Sequence, residues 1–278
     1  MSGHVLLTGA TGFVGAQVLA ELARRRHRVR VVQRLGQALP SSAEEARQTE
    51  DAFAESAAWW QEACAGIDTV IHCAWHVPPG QYLTSPRNTD CLTGTLALGK
   101  GARAAGVARF VGIGTCFEYD IHQGVLSTET VLAPQTPYAA AKVAAYFALK
   151  GLFEGSDTGF AWGRLFYLYG EGEKPGRLVS YLRAQLEKGA PAELTHGSQI
   201  RDFMDVAEVG QRIVELALSD HQGAANICSG VPVTIRKLVE EIADGYGRRD
   251  LLRFGARAEN LVDPDCILGI PTRLTGTG

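Results

Sequence analysis

The sequence predicts an α/β protein: a doubly wound parallel sheet with helices on both faces and a smaller C-terminal lobe. Three observations carry this. Short apolar runs alternate with longer segments of helical spacing through the first two-thirds of the chain. The first apolar run, His4–Thr8, passes directly into glycines at positions 9, 12 and 15. After Tyr169 the alternation loosens, as expected where a lobe covers the carboxyl ends of the strands. With 278 residues, 46% hydrophobic and 21% charged, the chain is long enough for one large domain plus such a lobe.

In chain order, His4–Thr8 reads as a buried strand. Residues 13–25 read as a helix, because Phe13, Val14, Val18, Leu19 and Leu22 share one face. Residues 29–33 form a second strand. The polar stretch 35–55 holds a short third strand near 47–51. A helix over 57–65 precedes a strand over 69–73, and an Ala-, Gly- and Leu-rich helix over 89–105 precedes a strand that starts at Arg109 and ends near Thr115. Pro137–Phe153 is helical and 159–166 is a strand. Residues 170–176, "GEGEKPG", form a loop before a helix over 177–188. A last strand–helix pair lies near 224–228 and 234–246.

The formal net charge of −3 offers no electrostatic ground for a nucleic-acid or membrane-surface partner. No apolar run approaches the roughly 18 residues that span a bilayer. The six cysteines include no Cys-x-x-Cys pair, so buried, reduced thiols and a cytoplasmic location are expected. A strand that begins almost at once predicts no signal peptide. No metal site is expected. The basic run 24–28 falls at the far end of the first helix, where it suits helix C-terminal charge pairing.

Gly9, Gly12 and Gly15 make T-G-x-x-G-x-x-G between a strand and a helix, with Thr11, Phe13 and Val14 inside the turn. Such glycines allow a tight turn, close approach of a pyrophosphate and close helix–strand packing, and the helix N-terminus favours the anion. The pattern points to a dinucleotide-binding Rossmann domain over 1–169, with 202–230 returning to it. Residues 170–201 and 231–278 are left for a substrate-binding lobe. The second strand ends in Gln33 and Arg34, with no acid to bind an adenosine ribose. An arginine there suits a 2′-phosphate, so NADP(H) is favoured, with NAD(H) as the alternative.

Tyr138 and Lys142 stand four apart in a helix and share a face. An ammonium beside a phenol favours the phenolate and makes the pair a plausible acid/base unit. Thr115 ends a parallel strand and so shares its sheet edge with the glycine turn, where a hydroxyl could orient a substrate oxygen against Tyr138.

Together these stretches resemble the extended short-chain dehydrogenase/reductase family, which includes nucleotide-sugar epimerases, dehydratases and ketoreductases. "TGATGFVG" matches its cofactor turn, "DTVIHCAW" its fourth strand and "FVGIGTCFEY" the strand carrying its catalytic Ser or Thr. "PYAAAK", "RLFYLYG" and "IRDFMDVAEVG" match later segments. The resemblance implies Thr115, Tyr138 and Lys142 as catalytic triad, with Tyr138 and Lys142 also touching the cofactor. It places Ala74 and Asp51 in the cofactor set, Asp51 near the adenine. It implies Arg201 and Arg257 as phosphate contacts of the substrate, and His76, Cys116 and Glu118 around the sugar.

The departures from the family pattern are informative. Cys116 and Phe117 replace the Asp-Glu that serves the dehydratases. Cys91 takes an Asn place, with Asn88 one turn earlier, and Tyr167 replaces an Asn that binds diphosphate. The expected activity is NADPH-dependent reduction of a nucleotide-linked 4-keto-6-deoxy sugar. The alternatives are an epimerase with tightly bound NAD and a non-catalytic dinucleotide-sensing interaction protein. The family also implies a homodimer through the helices over 89–105 and Pro137–Phe153, where Gly94, Ala97, Gly101, Ala104 and Ala105 would permit close approach.

Overall fold

Five consecutive buried residues make His4–Thr8 (β1) an interior strand in the computed structural model, which describes residues 3–258 and 264–274. β1 pairs in parallel with β2 (Arg28–Arg34), which carries β3 (Glu45–Thr49) at the sheet's edge. On its other side lie β4 (Thr69–His72) and β5 (Arg109–Thr115). The second sheet begins with β6 (Val125–Leu126), and β7 (Gly159–Leu165) returns to the first, beside β5. β11 (Gly223–Ile227) closes a seven-stranded parallel sheet in the order β11-β7-β5-β4-β1-β2-β3.

Side chains alternate across this sheet, and each face has its own core. Val5 and Leu7 face α1 (Phe13–Arg24) and α6 (Val206–Leu218) through Val18, Leu22, Val209 and Ile213. Leu6, Val70 and Phe110 face α2 (Ala57–Ala63), α3 (Arg87–Ala104) and α4 (Pro137–Phe153) through Trp60, Leu98 and Leu149. This is the doubly wound Rossmann arrangement that the alternating pattern predicts.

β8 (Tyr167–Tyr169) pairs with β10 (Ile200–Asp205), which lies in a smaller sheet with β12 (Pro232–Thr234), β14 (Cys266–Gly269) and β6. β9 (Ala192–Leu194) pairs with β13 (Leu252–Phe254). With α5 (Leu178–Glu187) and α7 (Ile235–Gly245) they enclose a separate core around Leu182, Leu186, Leu194 and Val239.

The differences from the sequence reading have physical causes. The third strand lies two residues earlier than expected, because β2 pairs Arg34 with Thr49 and pairing stops there. α6 is an element the sequence reading lacks, although Asp205 caps it through the Ala207 N–H at 2.8 Å and Val206, Val209, Ile213 and Val214 have helical spacing. Two glycines expected at a dimer surface are used inside the chain. A Cβ on Gly94 would strike the Phe53 backbone, and one on Gly101 would lie 2.5 Å from the Trp60 Cβ. No helix among the described residues is long and apolar enough to cross a membrane.

Candidate active site at the carboxyl edge of the sheet

Because the strands are parallel, Thr8, His72, Thr115 and Leu165 end at one edge, and a cavity of about 490 Å³ opens along it toward α5. Gly9, Gly12, Phe13, Val14 and Gly15 line one end. Gly9 has φ +74°, and a Cβ there would lie 2.8 Å from the Ala74 nitrogen. A Cβ on Gly15 would collide with the Gly9 carbonyl, so the helix can approach the turn only at a glycine. α1 starts on Gly12, with no side-chain cap and no acid in its first turn. Its N-terminal N–H groups are therefore open to an anion. The donor set and the glycine cradle fit a dinucleotide.

The turn is held to the next strand by a buried histidine. His72 bridges the Thr8 hydroxyl at 2.8 Å and the Thr95 hydroxyl at 2.9 Å, and Thr8 Oγ1 also accepts the Ala74 N–H. Burial, with the Lys142 charge adding to it, pushes the His72 pKa down to about 3, so the ring is neutral.

Thr115, Tyr138 and Lys142 come together at the middle of the cavity. Thr136 caps α4 by accepting the Ala139 N–H at 3.2 Å, and Pro137 starts its first turn, so Tyr138 and Lys142 point back to the end of β5. Burial raises the Tyr138 pKa well above its ordinary value; Tyr82, Glu118 and Cys116 push the same way, and the neighbouring Thr115 hydroxyl opposes them. Tyr138 is thus held as a phenol. The expected lowering by Lys142 is outweighed by burial; the ammonium lies 6.0 Å from the phenol ring centroid and donates to the Ile113 carbonyl at 2.6 Å. Burial lowers the Lys142 pKa to about 8.

The remaining expected residues divide into two groups. Ala74 and Cys116 line the cavity, and burial pushes the Cys116 thiol up to about 12, so it stays protonated. Glu118 does not reach the cavity, contrary to its expected place beside the sugar. It is fully buried behind Thr115, where it accepts the Thr115 N–H at 2.9 Å, the Trp162 indole at 3.0 Å and Arg164 Nε at 2.7 Å.

His76 also lies off the cavity lining, since its backbone N–H turns toward Cys91 Sγ at 3.4 Å. Arg201 is buried one layer back, 5.4 Å from the ring of the cavity residue Tyr167, and donates to its neighbour's carbonyl, Ile200 O. Arg257 is exposed in the lobe, against the Tyr181 ring at 4.4 Å. Thr11 and Arg34 are exposed at the sheet edge. Asp51 follows β3 and is occupied: Arg87 donates to it at 2.6 Å and the Phe53 N–H at 3.0 Å. Burial, the largest single effect, pushes the Asp51 carboxyl up, but the Arg87 bond, the Phe53 N–H and the Arg87 and Arg34 charges together leave the pKa below the ordinary value.

The sequence reading lacks much of the aromatic wall. Trp75, Tyr82, Phe117, Phe166 and Phe203 line the cavity with Tyr167, and the Tyr82 edge meets the Tyr138 ring at 4.9 Å. Tyr82 was findable, since it sits in the loop that leaves the carboxyl end of β4. Phe203 is on a strand of the smaller sheet and reaches the cavity only through pairing with β8.

Residues 5–228 match the model of the NAD dependent epimerase/dehydratase family. The chain belongs to this family. It is 26% identical, over 86% of its own length and 88% of the relative's, to a dTDP-6-deoxy-L-talose 4-dehydrogenase (NAD(+)) of Aggregatibacter actinomycetemcomitans. A GDP-6-deoxy-D-mannose reductase of Pseudomonas aeruginosa is 29% identical over 64% of this chain and 62% of the relative. Among solved structures, MoeE5 in complex with UDP-glucose and NAD superposes with a TM-score of 0.78 at 26% identity, covering 96% of this chain and 89% of that one. A UDP-N-acetylglucosamine 4-epimerase from Methanobrevibacter ruminantium M1 shares the fold, with a TM-score of 0.84 at 20% identity over 98% and 90% of the two chains. The chain is an NAD(P)-dependent oxidoreductase of the extended short-chain dehydrogenase/reductase type acting in nucleotide-sugar chemistry.

Proposed function

We propose that this family member is an NADPH-dependent ketoreductase of nucleotide-linked 4-keto-6-deoxy sugars. The observation that carries the reading is one cavity lined by the glycine turn, a buried Tyr138 and Thr115. The names of the two relatives support a nucleotide-linked 6-deoxy sugar as substrate class. Arg34, at the end of a β2 that lacks an acid, supports NADPH over NADH.

Gly9, Gly12, Gly15 and Lys142 line the cavity and would hold a reduced nicotinamide cofactor, which when bound would supply hydride. The chain's own groups manage the oxygen. Thr115 and Tyr138 hydrogen-bond the carbonyl oxygen and so polarise it. Tyr138, protonated because it is buried, releases its proton to the alkoxide as charge develops there. Lys142 places a positive charge near the tyrosinate that remains. The aromatic wall of Phe117, Tyr167 and Phe203 excludes water and suits the methyl face of a deoxy sugar. A 4,6-dehydratase would need an acid and a base after Thr115, where a thiol held protonated and a phenyl ring stand instead.

The test mixes the protein with NADPH or NADH and a thymidine-diphospho-4-keto-6-deoxyhexose and follows loss of reduced-nicotinamide absorbance. Stoichiometric oxidation is expected, faster with NADPH and at least about 100-fold slower in Tyr138→Phe. No oxidation, with NAD released on denaturation, would establish the epimerase instead. Neither turnover nor bound NAD would point to a dinucleotide-sensing protein.

A further inference from the structure

Lys142 is surrounded in an uncommon way for a buried ammonium. Its one hydrogen bond among the described residues goes to the Ile113 carbonyl, and no carboxylate touches it. Its other neighbours are rings. The Trp75 face lies 3.7 Å from Nζ, with Trp162 at 5.7 Å and Tyr138 at 6.0 Å. The titratable groups around it are Glu118, Tyr138, His72, Cys73 and Cys91. His72 is neutral, burial pushes Cys73 up to about 12 and Cys91 upward, and the Glu118 carboxylate is bound by Arg164. Beyond the Ile113 carbonyl at 2.6 Å, the Trp75 π face at 3.7 Å is the next source of negative potential at the ammonium, and such an attraction strengthens out of water.

Trp75 is itself firmly placed. Its indole N–H donates to Asn88 Oδ1 at 2.8 Å, and the Asn88 amide donates to the Tyr82 and Ser85 carbonyls at 2.7 and 2.9 Å. Asn88 is buried in the first turn of α3. Phe53 and Tyr138 pack against the indole in T-shaped arrangements, with ring centroids 6.5 and 6.2 Å away. A large indole at a cavity wall, locked at its N–H and turned face-on to a lysine, does more than fill space.

We propose that Trp75 is a positioning residue for the reaction, its ring face holding the Lys142 ammonium in place beside Tyr138, with Asn88 fixing the ring. This rests on the role given to Lys142 above. Without the ring, the ammonium keeps one carbonyl, moves more freely and loses its proton more readily.

The test follows the ε-carbon signal of Lys142 by NMR in protein carrying 13C-labelled lysine, assigned with Lys142→Arg. In Trp75→Leu the titration midpoint falls by about one pH unit, a tenfold loss of proton affinity. In Trp75→Phe, which keeps a π face, it falls by less than half of that. In the reductase assay, Trp75→Leu lowers kcat about tenfold with little change in KM for the ketone, and Trp75→Phe recovers most of it. A ring that only filled space would lower thermal stability without moving the midpoint. Where Trp75→Leu does not fold, Asn88→Ala leaves the ring present but unheld, and the midpoint falls in the same direction. Equal midpoints in the wild type and the folded variants overturn the proposal. The titration needs neither cofactor nor ketone, so its failure is distinct from failure of the ketoreductase reading.

Discussion

Glu118 shows how far a residue's place in the fold can separate from its place in a motif. It stands three residues after Thr115 and looks available to a substrate, yet the strand end turns it inward. There it joins a buried chain: Arg164 donates to Glu118 and to the Tyr119 hydroxyl, and Tyr119 donates to Asn226 at 2.6 Å. This network fixes the backbone on which Thr115 sits. Removing one partner of a buried ion pair leaves the other charge uncompensated, at a cost of about 3–5 kcal/mol. Glu118→Gln is therefore expected to lower unfolding free energy by about 3 kcal/mol in urea titrations. A residue in contact with the sugar would instead show its main effect in KM. The Tyr138–Lys142 pair was legible from its i, i+4 spacing. The direction of the tyrosine's pKa was not, because burial, which no local pattern encodes, outweighs a neighbouring charge.

Among the elements, β2 carries the proposed NADPH preference on its last residue, Arg34. Arg34 is exposed at the strand's carboxyl end, beside the Asp51–Arg87 pair that closes the adjacent loop. A guanidinium there gains from a 2′-phosphate and has nothing comparable to gain from a ribose hydroxyl. Arg34→Ala should raise KM for NADPH about tenfold, as expected for a lost charge-assisted hydrogen bond, and leave KM for NADH nearly unchanged. Equal effects on the two cofactors would sink the NADPH preference. The element pattern was readable wherever a strand or helix is long and periodic. The strands of the smaller sheets were not: β6, β8, β9, β10, β12, β13 and β14 owe their existence to partners distant in sequence, as where Val125 pairs with Leu268.

At the scale of the whole molecule, two buried groups contribute to acid stability, His72 across elements and Glu21 within the first helix. His72, which ties β1 to α3, has its pKa pushed down to about 3 by burial, while an unfolded chain binds its proton below about pH 6.5. The unfolded state then holds more protons, so this contribution is lost as pH falls from about 6.5 toward 3. Glu21 is held down to about 2, chiefly by its hydrogen bond to Arg24 and also by Arg25, so its contribution is present above its ordinary value and lost between about 4.5 and 2. Both act in the same direction. The urea midpoint should fall steadily from pH 7 to pH 4, and His72→Gln should flatten the upper part of that fall. A midpoint independent of pH between 7 and 5 would contradict the neutral, buried state of His72.

By itself the sequence determined what short-range chemistry controls: an alternating α/β chain, a glycine turn that only those residues can form, and a helix presenting Tyr138 and Lys142 on one face. Tertiary structure decided what depends on neighbours brought from afar. It turned Glu118 inward, drew Phe203 to the cavity from the smaller sheet, and laid Trp75 over Lys142. Periodicity is a property of a segment, whereas burial, charge compensation and ring contact are properties of pairs, and the fold alone says which pairs exist.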